Sequence, residues 1–160
     1  MDLKFKIKYA WNKVFWFFGR PTRYVYSFLV RPHRQAAKVL IIRDLKILLV
    51  RPNYGHRQWS VPGGGIEKGE SGEDGARREL REELAMTVET IRPVGSYQHE
   101  IGFVKITIHI FVAEVKESNF SLDRIEISEA TWFPLDSLPP DRVKRLDSYL
   151  EMYRASLSRR

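Results

Sequence analysis

The sequence predicts an α+β fold in which a central mixed sheet is packed between two helices. Strand-like segments come first along the chain, followed by a helix, further strands and a closing helix. Ile and Val occupy every second position over residues 106–113, which is typical of a strand. Apolar residues recur at helical spacing over 72–85 and from Asp141 onwards. We therefore expect residues 35–160 to form one domain, long enough to bury a core of its own.

The strands are predicted from β-branched and aromatic composition. Two such runs, 36–42 and 45–50, predict a hairpin that turns at Arg43 and Asp44. Further extended segments are predicted at 87–91, 94–99, 106–113 and 130–134.

The helices are predicted from their ends as well as from their periodicity. Ser71 suits the N-cap of a helix that runs from Ser71 or Gly72 to Ala85, and acidic residues follow it in the first turn. A closing amphipathic helix is expected from Asp141, because two prolines stand just ahead of it.

Residues 1–34 are basic and aromatic, unlike the rest of the chain. They carry eight Lys and Arg against Asp2 alone, so they account for the whole net charge of +7. The spacing of their apolar residues predicts an amphipathic helical arm, in runs shorter than the roughly 20 residues that span a bilayer. This arm has three alternative roles: it packs on the domain, it forms a homodimer contact, or it binds an anionic membrane surface. We expect no sequence-specific nucleic-acid binding, because no base-reading motif is present.

The chain contains no cysteine. This excludes disulfides, thiolate catalysis and cysteine-ligated zinc. It fits a reducing compartment, and we expect a cytoplasmic location, with a peripheral position at the inner membrane surface as the alternative.

A glycine-rich turn followed by an acidic helix carries the chemistry. Gly63, Gly64 and Gly65 allow the backbone to take positive φ and to approach a ligand closely. Three carboxylates, those of Glu79, Glu82 and Glu83, then fall at i, i+3 and i+4 on one helix face. Hard oxygen ligands clustered in this way suit Mg²⁺, with Mn²⁺ as a substitute. The alternative is a solvated acidic face paired with the arginines of the same helix.

The stretch from Gly64 to Met86 resembles the Nudix box, with Ala85 where that family usually has glycine. The resemblance implies a Nudix-like α/β/α sandwich over roughly residues 36–155. It also implies a metal shell made by Glu79, Glu82 and Glu83, in which Glu82 binds directly or through water. We expect the Gly63 carbonyl to complete this shell, because a glycine backbone can come close to the ion, and Arg78 to orient the carboxylates. Alanine in place of glycine is expected to cost about 1 kcal/mol or to alter the turn after the helix.

The reaction implied by the resemblance is Mg²⁺-dependent hydrolysis of a phosphoanhydride in a nucleoside diphosphate linked to another group, by attack of metal-activated water. Glu82 and Glu83 are candidate general bases on the helix, and Glu126 and Glu129 are the candidates on a distant loop. Phosphate or base contacts are expected from Arg51, Tyr54, Arg57 and Tyr97. The histidines show no metal-ligand spacing. A module that binds nucleotide without hydrolysis is the alternative from another functional class.

Overall fold

The computed structural model describes residues 33–101, 103–115 and 119–158, apart from the side chain of Ile101. The predicted N-terminal arm therefore lies outside the described residues, except for its last two positions. The compact unit that carries the site comprises Gln35–Tyr97 and Thr107–Arg160, while Gln98–Ile106 belongs to a separate unit.

One five-stranded sheet organises the described chain, in the order β3-β4-β1-β2-β5. The strands are β1 (His33–Arg43), β2 (Lys46–Pro52), β3 (Arg92–Ile101), β4 (Val104–Glu114) and β5 (Ile127–Pro134). β2 pairs antiparallel with both β1 and β5. The Val115 amide donates to the Ile42 carbonyl, so the carboxyl ends of β4 and β1 lie side by side, which makes the sheet mixed.

Two helices, α1 (Gly72–Leu84) and α2 (Arg145–Leu157), cover the sheet in the described residues. α1 packs Ala76, Leu80 and Leu84 into a core that includes alternate residues of β1 such as Val39 and Ile41. α2 buries one face of its own and packs Met152 so tightly on β3 that a β-carbon at Gly95 would meet its sulfur at 2.9 Å. No helix in the described ranges is long and apolar enough to cross a membrane.

The middle of β1 is buried on both sides. Leu40 and Ile42, which alternate with Val39 and Ile41, are also buried. A strand covered on both faces reads as a continuous apolar run, which is the pattern that predicted it. The α+β sandwich with a central mixed sheet is thus confirmed.

Two predicted boundaries differ from the structure. Residues 87–91 form no strand, although Val88 and Ile91 are buried, because these side chains cover the core beside the end of α1. The closing helix begins at Arg145 rather than at Asp141. The segment before it forms a parallel bridge with Trp59 instead, in which the Trp59 amide donates to the Asp141 carbonyl and the Val143 amide donates to the Trp59 carbonyl.

Candidate active site

The ends of α1 are fixed by local hydrogen bonds. Ser71 accepts from the Asp74 amide at 3.1 Å, which confirms the predicted N-cap. Ala85 takes the left-handed conformation with φ of 50°, and its amide donates to the Arg81 carbonyl at 3.0 Å. Since the Met86 amide also bonds to the Leu80 carbonyl, the exit turn has the usual capping geometry even without glycine.

The glycine turn is held between β1 and α1, with no room for a side chain at Gly63 or Gly64. The Ala37 amide donates to the Gly64 carbonyl at 2.9 Å. Gly63 has φ of +123°, and a β-carbon there would lie 2.2 Å from the Ala37 carbonyl oxygen. A β-carbon at Gly64 would lie 2.6–2.7 Å from the carboxylate of Glu79. Glycine is therefore required here both for conformation and for close approach.

Two carboxylates of α1 point at this turn. Glu79 and Glu83 are only 9% and 6% exposed, and they are the buried charged residues of the described chain. The Gly63 amide donates to Glu83 Oε2 at 2.9 Å. Burial raises the pKa of Glu83, and the charge of Glu79 raises it further, whereas Lys38 and the Gly63 amide lower it.

Arg78 joins the helix to the turn. Its guanidinium donates twice to Glu70, at 3.0 and 3.1 Å, and once to the Gly65 carbonyl at 2.7 Å. It also donates to Glu79 at 2.8 Å and to Glu82 at 3.0 Å. The bond to Glu70 is the largest of the causes that raise the pKa of Arg78. Arg78 thus bonds both to the glycine turn and to carboxylates of α1.

The third carboxylate of the predicted cluster lies apart from the other two. The side chain of Glu82 is 60% exposed and is paired with Arg78. Within residues 33–101, 103–115 and 119–158, no three carboxylate or imidazole side chains are grouped closely enough to share one ion. The structure therefore brings together two of the three predicted side chains.

A lysine that sequence reasoning missed lies among the predicted ligands. The ammonium of Lys38 donates to the Gly63 carbonyl and, at 3.4 Å, to the Val61 carbonyl. Its partial burial lowers the pKa of Lys38, while Glu83 and Glu79 are near enough to raise it. The only available signal was a lysine within the apolar run of β1.

The donor set fits a divalent cation. It consists of two buried carboxylates and a backbone carbonyl, all hard oxygen ligands. The Lys38 ammonium, which donates to the Gly63 carbonyl, shows that this position accommodates a positive charge. We conclude that Glu79, Glu83 and Gly63 are chemically suited to hold Mg²⁺ or Mn²⁺.

The loop before β5 is fastened to the end of α1, which separates the two loop candidates for a general base. The Asp123 amide donates to the backbone carbonyl of Glu83 at 3.0 Å. Glu126 is near enough to raise the pKa of Glu83. Glu129 instead forms a 3.4 Å ion pair with Arg51. Of the two loop carboxylates, Glu126 is thus the one whose charge acts on Glu83.

The predicted substrate contacts occupy different places. Tyr54 is 64% exposed, and partial burial together with Glu83, Glu126 and Glu79 raises the pKa of its phenol. It therefore lies at the mouth of the carboxylate site.

Arg51 lies over the Trp59 ring at 4.5 Å and donates to Asp141 at 2.7 Å and to the Arg57 carbonyl at 2.8 Å. Arg51 and Arg57 are thus neighbours in one cluster beside Trp59. Tyr97 instead lies 5.7 Å from the guanidinium of Arg145 in α2, on the other helix.

One known protein family matches most of the chain. The family model described as the NUDIX domain matches residues 32–153. The chain is 33% identical over 115 residues to the oxidized purine nucleoside triphosphate hydrolase of Mus musculus, covering 69% of this chain and 72% of that protein. It is 38% identical over 107 residues to the NAD-capped RNA hydrolase NudC of Pseudomonas putida strain GB-1, covering 64% of this chain but only 37% of that protein.

Among solved structures, the MutT NUDIX hydrolase of Burkholderia pseudomallei superposes with a TM-score of 0.69 at 23% identity, over 75% of this chain and 97% of that one. At this identity the similarity establishes the fold. The family match, which covers most of the described chain, adds the assignment to a family. The chain belongs to the Nudix family of hydrolases.

Proposed function

We propose that this protein hydrolyses a phosphoanhydride bond in a nucleoside diphosphate linked to another group, with Mg²⁺ or Mn²⁺ as cofactor. The observation that carries the proposal is the buried pair Glu79 and Glu83 beside the glycine turn, where Glu83 accepts a hydrogen bond from the Gly63 amide and Glu79 accepts one from Arg78. Two carboxylates buried side by side repel each other, so a cation between them stabilises the arrangement. A polyphosphate substrate needs the same positive charge to approach them.

Glu79, Glu83 and the Gly63 carbonyl would hold the ion. When bound, a divalent ion neutralises phosphate oxygens and lowers the pKa of a coordinated water. Arg78 keeps Glu79 in place through its 2.8 Å hydrogen bond and fastens the turn through Glu70 and the Gly65 carbonyl. Arg78 is thus a positioning residue, because its donors are engaged by the protein itself.

We assign the removal of the proton from the attacking water to Glu126, with Glu83 and Glu82 as the alternatives on the helix. Glu126 is exposed, and its charge acts on both Glu83 and Tyr54. It therefore faces the open side of the site, where a substrate phosphate and water have access. Glu129 is a poorer candidate because it is paired with Arg51.

The proposed substrate contains a nucleoside. The exposed Tyr54 ring at the mouth of the site is suited to stack on the base of that nucleoside. The two relatives named above are an oxidized purine nucleoside triphosphate hydrolase and an NAD-capped RNA hydrolase. Nucleoside triphosphates, oxidised or ordinary, and dinucleotides with a central diphosphate are accordingly the first substrates to test. Nucleotide sugars form the third class.

The test is a hydrolysis screen of these three classes with Mg²⁺, in which the products are identified by mass spectrometry. The variant Glu83→Gln keeps the size and the hydrogen-bond acceptor but removes the charge. The matched control is Glu151→Gln, on the exposed face of α2. We expect cleavage between two phosphates by the wild type and by the control, and loss of most activity in Glu83→Gln.

Wild-type turnover by Glu83→Gln would overturn the site assignment. A nucleotide that raises the melting temperature only with Mg²⁺, yet is never cleaved, would instead favour a nucleotide-binding module.

A further inference from the structure

The Gly63 carbonyl and the two buried carboxylates already have a cationic neighbour within the chain. Lys38 lies in the middle of β1, and its ammonium donates to the carbonyl oxygens of Gly63 and Val61. Glu83 and Glu79 both act on its charge. Lys38 thus contacts the backbone oxygen, and neighbours the carboxylates, that would bind a divalent ion.

We propose that Lys38 is an internal counter-cation, which holds the carboxylate site in shape without metal and must leave the Gly63 carbonyl when a divalent ion binds there. The inference rests on the proposed metal site and adds a competition within it. The ammonium occupies one of the two lone pairs of the Gly63 carbonyl oxygen, so only the other is left for an ion. Two cations brought to one place also repel each other strongly where water is excluded.

The position of Lys38 within the sheet makes the competition specific. The neighbouring β1 residues Ala37 and Val39 are fully buried, so the backbone of β1 is fixed and only the flexible lysine side chain can move. The Ala37 and Val39 amides also bond to the Gly64 and Pro62 carbonyls, which holds the turn at the same distance from β1. Metal binding therefore moves the ammonium rather than the turn.

Competition of this kind has a thermodynamic consequence. The free energy needed to displace Lys38 is subtracted from the free energy of metal binding, so a neutral residue at this position tightens binding. We expect Lys38→Met to bind Mn²⁺ about tenfold more tightly than the wild type, which lies within the range of ordinary coupling between sites.

The first measurement is isothermal titration of Mn²⁺ into the full-length wild type, Lys38→Met and the control Lys46→Met. Lys46 is an exposed lysine at the start of the neighbouring strand β2, so the control makes the same change in charge away from the site. Tighter binding by Lys38→Met alone supports the proposal. Binding by Lys38→Met that is equal to or weaker than wild-type binding overturns it.

A second measurement uses the wild type and does not depend on the folding of a variant. The rate at which an amine-reactive anhydride acetylates each lysine is followed by mass spectrometry, with and without saturating Mn²⁺. We expect acetylation of Lys38 to become several-fold faster with Mn²⁺, while that of Lys46 stays the same. An unchanged rate at Lys38 overturns the proposal.

The two proposals fail in different ways. Competition between Lys38 and Mn²⁺ without hydrolysis of any nucleotide would leave this inference standing and remove the proposed reaction. Hydrolysis with no effect of Lys38→Met on Mn²⁺ affinity would do the reverse.

Discussion

The Gly63 amide donates a 2.9 Å hydrogen bond to Glu83 Oε2, across twenty positions of sequence. It places the charge of a buried carboxylate against the first glycine of the turn. The bond needs a backbone with no β-carbon at that point, and it needs a helix whose buried face presents Glu83. The glycine turn and the acidic helix are thus one structural unit.

Gly64→Ala should disrupt this unit. The added β-carbon would lie 2.6–2.7 Å from the Glu79 carboxylate, so the carboxylate or the turn must shift. We expect the free energy of unfolding to fall by about 1–3 kcal/mol and activity to fall with it. Chemical denaturation and steady-state kinetics measure the two effects.

Gly65→Ala is the matched control, because a β-carbon at Gly65 meets nothing within 4 Å. Equal losses in the two variants would mean that the close approach at Gly64 does not matter.

Arg78→Lys should loosen the turn while keeping the charge. A lysine cannot reproduce the paired contact with Glu70 together with the bonds to Gly65 and Glu79. We expect a loss of about 2 kcal/mol in the free energy of unfolding and a clear fall in kcat. The exposed Arg81→Lys should change stability by less than about 0.5 kcal/mol, and a similar loss in both variants would argue against an orienting role.

Ala85→Gly should stabilise the protein. Ala85 has φ of 50°, a conformation that costs a residue with a β-carbon about 1 kcal/mol relative to glycine. Since Ala85 is exposed, no core contact is lost. A thermal melt should show a higher melting temperature, and an unchanged or lower one would contradict the observed cap.

Acid should remove the contribution of Glu70. Its hydrogen bonds, above all those from Arg78, lower the pKa of Glu70 below the ordinary value. A carboxyl with a lowered folded-state pKa contributes stability above its unfolded pKa, and this contribution is lost as the pH falls through the folded value. The difference in unfolding free energy between wild type and Glu70→Gln should therefore shrink on acidification. A difference that does not vary with pH would show that the Glu70 charge is not involved.

The parts of the site that depend on local sequence were predictable. The start and the buried face of helix α1 can both be predicted from nearby residues, because Ser71 is an N-cap residue and Leu80 and Leu84 are four positions apart. The same period placed Glu79 and Glu83 on the side that meets the turn, since residues four apart lie on one face. Glu82 is three residues from Glu79, and its exposed side chain pairs instead with Arg78, one turn earlier on the same helix.

The parts that depend on contacts between distant segments were not predictable. Lys38 looks like an ordinary polar residue in a strand until β1 is placed beside the glycine turn. The choice between Glu126 and Glu129 rests on the bond from Asp123 to the end of α1 and on the pairing of Glu129 with Arg51. Residues 87–91 were wrongly predicted as a strand. Apolar side chains such as Val88 and Ile91 are common in strands, but they also occur in irregular segments that cover a core.

The central claim, that Glu79 and Glu83 together hold a divalent ion, is tested most directly by anomalous scattering from crystals grown with Mn²⁺. We predict a manganese peak in contact with both carboxylates and beside the Gly63 carbonyl. A peak at another position, or no peak at these carboxylates in crystals saturated with Mn²⁺, would contradict the account.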